Sequence, residues 1–282
     1  MASGRPDRAV PAGEAGAAES APVEVAPSPA DATGPPLDPA LPALYQRSDF
    51  APGPPLPPGR GGDQRIPRPR SCRPGGPAPW SAIAEAERVI TVDDVRRALA
   101  SSGPPLLSHL EGTGVRASAV LAPLYDEDGE AHVVLTRRAA HLRSHRGEVS
   151  FPGGGRDGDE TLQQTALREA WEETAMDPAS VEVIGELDHL QTVTSRSFIV
   201  PFVGVLPGRP ELEANPSEVE AVRFVALREL LLDEVYREER WGLPPLDRPL
   251  WFFELVGDTV WGATAAMLRN LLALTLGVPW RD

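Results

Sequence analysis

The chain lacks several features that would define other classes of protein. It has 282 residues and one cysteine, Cys72, so no disulfide framework can hold it together. No apolar run reaches the length of a membrane span or of a signal-peptide core. Positive charge is scarce: 27 basic side chains against 41 acidic ones give a net charge of −14. An acidic domain argues against nucleic acid as a main ligand. These absences predict a cytoplasmic protein with no membrane and no nucleic-acid partner.

Apolar periodicity is missing from the N-terminal part of the chain, where proline, alanine and glycine dominate. More than half of the chain's prolines precede Ser81. Such a segment cannot bury enough apolar surface to offset its loss of chain entropy. Residues 1–88 are therefore predicted to be a disordered tail, and residues 89–282 to be the folded domain. A basic run between Arg60 and Arg73 is interpreted as a solvated linker, in preference to an anion-binding segment.

The rest of the chain is organised around residues 153–176, where a glycine-rich turn is predicted to lead into a helix. Glu169, Glu172 and Glu173 are spaced three and four apart, so they share one face of that helix. Like charges at this spacing destabilise an isolated helix by about 0.2–0.5 kcal/mol per pair. Such a face either points into water or gathers a divalent cation, for which carboxylate oxygens suit Mg²⁺ or Mn²⁺. A neighbouring face, predicted to pack, carries Leu167, Ala170 and Trp171.

The spacing around these glutamates matches a known motif. Five residues separate Gly154 from Glu160, and seven more lead to the run Arg168-Glu169-Ala170-Trp171-Glu172-Glu173-Thr174-Ala175-Met176. The pattern resembles the signature of the Nudix hydrolases, with one departure: Ala175 stands where the signature has glycine. That glycine is expected to end the helix in a left-handed conformation. Alanine there should cost about 1 kcal/mol, or the turn closes differently.

The resemblance implies the Nudix α/β/α sandwich with a mixed sheet, and the predicted elements are compatible with that fold. Thr91 is predicted to cap a helix. Asp126, Asp128 and Gly129 are predicted to form a hairpin turn. Strands are predicted over residues 116–125, 132–138, 181–187, 197–206, 219–225 and 251–255. The remaining predictions are a short helix over 227–232, a loop over 240–248, and a closing helix over 259–276 that Gly277 caps.

A second motif lies directly upstream, from Val134 to Gly154. It is similar to the element that marks coenzyme A pyrophosphatases within the Nudix family, which ends in Phe-Pro-Gly-Gly; only Val134 departs, standing where the element has leucine. Arg138 and Arg143 occupy its fixed positions, so the resemblance implies that they bind substrate, and guanidinium groups suit phosphate oxygens. Without the motif, the basic cluster here is interpreted as a solvated loop. Two histidines in it are interpreted as surface residues: His141 and His145.

The resemblance also implies roles for the residues of the first motif. The expected catalytic and metal-binding set is Glu169, Glu172 and Glu173, with Mg²⁺ or Mn²⁺ as the ion. Arg168 is expected to belong to the catalytic set by orienting one of these carboxylates. Glu160 is interpreted either as a support for the metal site or as an acid favoured by the helix dipole.

Two further expectations concern the substrate side of the site. The backbone of Gly153 and Gly154 is expected to approach the metal ion or the phosphates closely, since no side chain intervenes. The general base is left open between Glu169 and a glutamate from a later loop, either Glu218 or Glu220.

The predicted activity is metal-dependent cleavage of the phosphoanhydride in coenzyme A or its derivatives, giving 3′,5′-ADP and 4′-phosphopantetheine. The first alternative is a Nudix hydrolase acting on NADH, ADP-ribose or another nucleotide conjugate. The second is a non-catalytic nucleotide-binding module, which the intact acidic triad disfavours. An RNA-cap hydrolase is disfavoured by the net acidity. A homodimer is left open.

Overall fold

The structure is a computed structural model that describes residues 51–64, 66–111, 114–142, 145–191 and 197–280. Within these ranges no helix combines the length and the apolar character that crossing a membrane requires. The part of the predicted tail that precedes Ala51 lies outside the described part of the chain. The rest of that tail, from Ala51 to Arg88, lies inside it, except for Arg65.

Short strands outnumber helices in the described residues. Two single 3-10 turns occur at Glu85–Glu87 and Pro178–Ser180. The helices are α1 (Val92–Ser101), α2 (Leu162–Thr174), α3 (Leu227–Leu230) and α4 (Gly262–Thr275). The strands are β1 (Arg73–Pro74), β2 (Ala117–Glu127), β3 (Glu130–Arg138), β4 (Val149–Ser150), β5 (Gly153–Gly155), β6 (Glu182–Glu186), β7 (Leu190–Gln191), β8 (Phe198–Val205), β9 (Val219–Ala226), β10 (Tyr236–Trp241), β11 (Arg248–Glu254) and β12 (Thr259–Trp261).

The larger sheet is mixed, as predicted. Its central path runs β4-β3-β2-β8-β6, while β5 pairs with β2, β7 with β8 and β9 with β3. Strands β2 and β8 run parallel, and every other pairing recorded for this sheet is antiparallel. The β2–β3 hairpin turns at Asp128 and Gly129, as predicted, and both have positive φ (53° and 84°). Asp126, which was also predicted in the turn, instead lies in β2 and pairs with Ala131.

Helices cover both faces of this sheet, because alternate residues of each strand point to opposite sides. One apolar cluster joins α2 to the sheet and includes Ala166, Ala170, Leu121, Val134 and Phe202. The other joins α1 and α4 to the opposite face and includes Val95, Leu268, Leu124, Val133 and Val203. The predicted α/β/α sandwich is therefore confirmed.

The smaller sheet was only partly anticipated. It is antiparallel in the order β1-β10-β11-β12. Strand β10 was not predicted, and β11 begins inside the segment predicted as a loop. The sequence of β10 is dominated by charged residues, which normally indicates exposed chain, but Glu239 is only 3% exposed because it bonds to Arg68 at 2.8 Å. Residues 259–261 pair with β11, so the closing helix begins at Gly262 and not at Thr259.

The described part of the predicted tail belongs to the folded domain, which corrects the boundary predicted between residues 88 and 89. Trp80 is fully buried, and its ring centroid lies 5.3 Å from that of Tyr236 and 6.4 Å from that of Phe253. Ile66 lies in a cluster with Trp241 and Phe252. Averaging composition over the whole tail hides such isolated apolar anchors, because the prolines and glycines between them dominate the average.

The basic run of this segment binds the acidic domain itself. Arg60 pairs with Glu229 at 2.7 Å and with Glu234 at 2.8 Å. Arg73 pairs with Asp247 at 2.9 Å. The sequence suggested either a solvated linker or a contact for an external anion. Neither interpretation describes these ion pairs, because both treated the segment as separate from the domain.

Candidate active site

The glycine run before α2 is a strand and not a turn, which corrects the prediction. Strand β5 pairs antiparallel with residues 118–120 of β2. A Cβ on Gly153 would lie 2.4 Å from the carbonyl oxygen of Ala119. A Cβ on Gly154 would lie 2.4 Å from Cδ of Glu169 and within 2.6 Å of both its carboxylate oxygens. Glycine is needed here because the strand runs against the carboxylate of the helix.

Helix α2 is closed at both ends. Thr161 and Gln164 form a capping box at its start, with bonds of 2.8 and 3.2 Å between each side chain and the other's backbone N–H. Ala175 ends it in the left-handed conformation, at φ 56° and ψ 23°. Ala170 is buried as predicted, but Trp171 is 56% exposed, so its predicted packing is wrong. At 100° per residue, Trp171 lies too far around the helix from Ala170 to reach the sheet.

Arg168 connects three of the motif glutamates. Its Nε and Nη2 donate to both carboxylate oxygens of Glu160, at 3.1 and 2.9 Å. Its Nη1 donates to Glu172 at 2.9 Å and lies 3.0 Å from Glu169 Oε1. Nη2 also donates to the carbonyl oxygen of Gly155, at 3.1 Å. A single guanidinium group thus joins β5, the loop before α2 and the acidic face of the helix.

Glu160 fixes the loop that joins β5 to α2. Its Oε1 accepts hydrogen bonds from the Asp157 N–H at 2.8 Å and from the Thr165 hydroxyl at 2.9 Å. The hydrogen bonds from Arg168, together with the backbone N–H, lower the pKa of Glu160 to about 2. Glu160 is therefore an ionised partner of Arg168 at any ordinary pH.

Glu173 is the buried carboxyl group of the site. It is 5% exposed, and among the described residues its Oε2 has no hydrogen-bond partner. Burial, followed by the charge of Glu169, raises its pKa to about 8, although the backbone N–H of Gly153 acts in the opposite direction. Burial, together with the charges of Glu172 and Glu218, also raises the pKa of Glu169, although the neighbouring Arg168 acts in the opposite direction. A buried carboxylate oxygen without a donor is costly, and a cation would relieve that cost.

The donor set suits a hard divalent cation, since it consists of carboxylate oxygens carried on one face of α2. Glu218 lies close to this group, since its charge raises the pKa of both Glu169 and Glu173. Within the described ranges, no three His, Cys, Asp or Glu side chains are already gathered around one point that could hold an ion. Arg168 instead occupies oxygens of Glu169 and Glu172. The residues therefore fit a cation by chemistry and by the orphaned oxygen of Glu173.

The loop that carries Glu218 is anchored to the end of α2 by Asn215, which the sequence reasoning did not single out. The Asn215 N–H donates to the carbonyl oxygen of Glu173 at 2.9 Å, and its side-chain amide donates to that of Glu172 at 3.2 Å. The Asn-Pro pair at 215–216 was the available signal, since asparagine before proline favours a turn. Glu220, the other candidate base, faces Arg137 at 3.6 Å instead.

The upstream motif contributes Arg138 at the end of β3. In the described part of the chain no hydrogen bond or ion pair holds its guanidinium group, and its charge lowers the pKa of Glu173. Arg143 lies outside the described residues. His141 and His145 are exposed, as interpreted from the sequence, and bond to Ser217 O at 3.1 Å and to Glu148 at 2.8 Å.

Comparison with known proteins identifies the family. Residues 115–244 match the NUDIX domain. The chain is 37% identical over 194 residues to Nudix hydrolase 3 of Caenorhabditis elegans, covering 62% of this chain and 79% of that protein. It is 39% identical over 171 residues to the uncharacterized Nudix hydrolase NudL of Enterobacter sp. (strain 638), covering 58% and 84%. The same-named protein of Salmonella paratyphi B is 38% identical over 182 residues, covering 62% and 89%.

The chain belongs to the Nudix hydrolase family. It is a pyrophosphatase that acts on nucleoside diphosphate derivatives, in a family whose members generally use divalent metal ions.

Proposed function

We propose that this Nudix hydrolase cleaves the phosphoanhydride of coenzyme A or its derivatives, releasing 3′,5′-ADP and 4′-phosphopantetheine. The supporting observation is Arg138, which stands at a fixed position of the upstream motif. Its guanidinium group has no partner among the described residues, whereas the adjacent Arg137 is engaged by Asp258 at 2.9 Å. A guanidinium group that no described residue holds by a hydrogen bond or ion pair, beside the acidic site, is suited to an anionic substrate. The cytoplasmic location and the homodimer stay predictions.

Mg²⁺ or Mn²⁺ is the proposed cofactor, and Glu169, Glu172 and Glu173 would hold it. When bound, such an ion neutralises charge on the pyrophosphate oxygens and favours deprotonation of water. Arg168 orients Glu169 and Glu172 through its Nη1, and Glu160 holds the other edge of the same guanidinium group. The backbone of Gly153 and Gly154 provides a surface without side chains on which a phosphate can approach this face.

Glu218 is the proposed general base. Its side chain is exposed, and its charge acts on both Glu169 and Glu173. Glu169 is less suited to the task, because Arg168 lies 3.0 Å from its Oε1 and because it is a proposed ligand of the cation. Glu220 is turned toward Arg137. Among the described residues no arginine pairs with Glu218, so its carboxylate can accept the proton of the attacking water.

Product analysis by chromatography tests the substrate class. The purified chain is incubated with coenzyme A, ADP-ribose and NADH, each with Mg²⁺, Mn²⁺ or a chelator. Metal-dependent release of 3′,5′-ADP from coenzyme A is expected, and Glu172→Gln is expected to abolish it. Glu182→Gln is the matched control, because Glu182 is exposed and pairs only with Arg96 outside the site. Turnover of NADH or ADP-ribose without turnover of coenzyme A would refute the proposed substrate.

Two matched pairs of variants test the individual roles. Arg138→Gln is expected to raise KM for coenzyme A by about tenfold, roughly the loss of one charge-assisted hydrogen bond, while Arg96→Gln leaves it unchanged. Glu218→Gln is expected to lower kcat by about 10²-fold or more. Glu220→Gln should leave kcat nearly unchanged. Equal effects of the two glutamate variants would reassign the base.

A further inference from the structure

Residues 60–64, here called the strap, lie along the turn between β11 and β12. The N–H of Gly61 donates to the carbonyl oxygen of Leu255 at 2.7 Å, and Gly61 forms a parallel bridge with Val256. The N–H of Gly62 donates to the hydroxyl of Thr259 at 3.1 Å. The strap lies outside the matched NUDIX residues, 115–244, yet its backbone is bonded into the smaller sheet.

Gln64 ends the strap, and its side-chain amide makes three hydrogen bonds. Oε1 accepts from the N–H of Thr259 at 3.1 Å. Nε2 donates to the carbonyl oxygen of Gly147 at 3.2 Å and to Oδ1 of Asp258 at 3.3 Å. These partners fix the orientation of the amide, because an N–H must meet an acceptor and a carbonyl or carboxylate oxygen must meet a donor. Gln64 thereby connects the β11–β12 turn to the β3–β4 connection, of which the structure describes residues 139–142 and 145–148.

Asp258 is a buried hydrogen-bond acceptor for the Gln64 amide. It is 1% exposed, and its carboxylate accepts hydrogen bonds from Arg137 at 2.9 Å and from Arg223 at 2.8 Å as well as from Gln64. Arg137 also donates to Asp63 of the strap, at 3.1 Å. The Gln64 amide, the Asp258 carboxylate and both terminal nitrogens of Arg137 are each hydrogen-bonded, although the buried Nε of Arg137 has no hydrogen-bond partner among the described residues. These bonds hold Gln64 in one orientation.

The described residues of the β3–β4 connection carry this support to the candidate active site. At its two ends the Arg138 N–H donates to Glu148 O at 2.9 Å, and the Gly147 N–H donates to Arg138 O at 3.1 Å. The N–H of Ala139 donates to the carbonyl oxygen of Glu218 at 2.8 Å. A displacement of Gly147 therefore reaches both Arg138 and Glu218.

We propose that Gln64 is a positioning residue for the described parts of the β3–β4 connection, residues 139–142 and 145–148, acting through the Gly147 carbonyl oxygen and Asp258. It holds Arg138 and Glu218 in place before an anionic substrate arrives, so that binding does not have to order them. The identity of the substrate rests on the proposed function, whereas the restraint on the loop does not.

The test uses the full chain and the variant Gln64→Glu. This change keeps the size of the side chain and the acceptor for Thr259, but it turns the donor that faces Gly147 O and Asp258 into an acceptor. Hydrogen–deuterium exchange of peptides from residues 139–148 is expected to become faster, with α2 unchanged. KM for coenzyme A is expected to rise about 5–10-fold, the equivalent of one lost hydrogen bond, with kcat within about twofold.

The control is Gln163→Glu, the same chemical change at an exposed position of α2, which should alter neither the exchange of the loop nor KM. If Gln64→Glu does not fold, Gln64→Met decides, since it removes the same bonds without adding charge. Loop exchange equal to that of the unmodified chain would overturn the proposal. Faster exchange in every peptide would also overturn it, because that indicates general destabilisation. If the unmodified chain does not cleave coenzyme A, the proposed function fails and the exchange data alone decide this inference.

Discussion

At the scale of single residues, Ala175 has the strained left-handed backbone conformation that the sequence motif predicted. Its φ of 56° lies in the left-handed region, where a Cβ costs about 1 kcal/mol or more relative to glycine. Ala175 is exposed, so replacing it removes no packing. We expect Ala175→Gly to raise the free energy of unfolding by about 1 kcal/mol, measured by urea denaturation.

The control for that variant is Gln163→Gly, which places glycine within α2 at another exposed position. There glycine should lower stability by about 0.5–1 kcal/mol. A loss of stability in both variants would mean that the end of α2 is not strained.

At Gly154, in contrast to Ala175, replacing one of these two residue types by the other should impair the protein, because the Glu169 carboxylate already fills the space that a Cβ would need. We expect Gly154→Ala to push the Glu169 carboxylate away from β5 and to lower kcat/KM by about tenfold or more, measured by initial rates at saturating metal. Gly208→Ala is the control, because a Cβ there meets no atom within 4 Å. Unchanged activity in Gly154→Ala would mean that the position of the Glu169 carboxylate does not matter for catalysis.

Sequence spacing predicted which carboxylates share a face of α2, but it did not predict which neighbours each carboxylate contacts. Glu169, Glu172 and Glu173 follow from the helical period, and the left-handed Ala175 follows from the motif. The burial of Glu173 depends on β5 lying against α2, and the bonds of Arg168 to Glu160 and to the Gly155 carbonyl oxygen depend on the segment before that helix. Such contacts between separate segments leave no periodic signal along the chain.

At the scale of elements, α1 shows a cap that could be predicted and tested. Thr91 and Asp94 form a capping box, with the Asp94 N–H donating to Thr91 Oγ1 at 3.3 Å and Asp94 Oδ2 accepting from the Thr91 N–H at 2.8 Å. We expect Thr91→Ala to lower the free energy of unfolding by about 1 kcal/mol. Thermal unfolding measures this, with Ser81→Ala, at an exposed position outside any helix, as the control.

The same cap predicts a dependence on pH. The hydrogen bond from the Thr91 hydroxyl, followed by that from its backbone, lowers the pKa of Asp94 below its ordinary 3.8. Because the folded pKa lies below the unfolded one, the stabilisation is present above 3.8 and is lost as pH falls through the folded pKa. The stability difference between the unmodified chain and Asp94→Ala should therefore be largest above pH 3.8 and narrow as the pH falls below that value. A constant difference would contradict this assignment.

Strand β10 marks the limit of prediction for elements. Its alternation is real, since Glu239 and Trp241 face inward together, but an inward glutamate does not count as apolar in a sequence pattern. Its burial requires Arg68 and Arg237, and Arg68 comes from a segment far earlier in the chain. Hairpin β2–β3 was predictable because its turn residues and both strands are adjacent in the chain.

At the scale of the whole molecule, two tryptophans test where the folded domain begins. Trp80 is fully buried although it lies in the predicted tail, and Trp171 is 56% exposed although it lies in the central motif. We expect Trp80→Ala to lower the free energy of unfolding by about 3–5 kcal/mol, because it leaves a cavity beside Tyr236 and Phe253. Trp171→Ala should cost about 0.5 kcal/mol or less. Urea denaturation compares them, and equal costs would contradict the described packing.

The bonding of the strap to the β11–β12 turn has a consequence for how the chain is made. Gly61 is synthesised well before its partners Leu255 and Val256. Contacts so distant in sequence form slowly, since a long loop must close before they stabilise anything. The strap must therefore wait until β11 and the turn after it have been synthesised, and a product that stops before β11 would leave Trp80 and its neighbours open to other apolar surfaces.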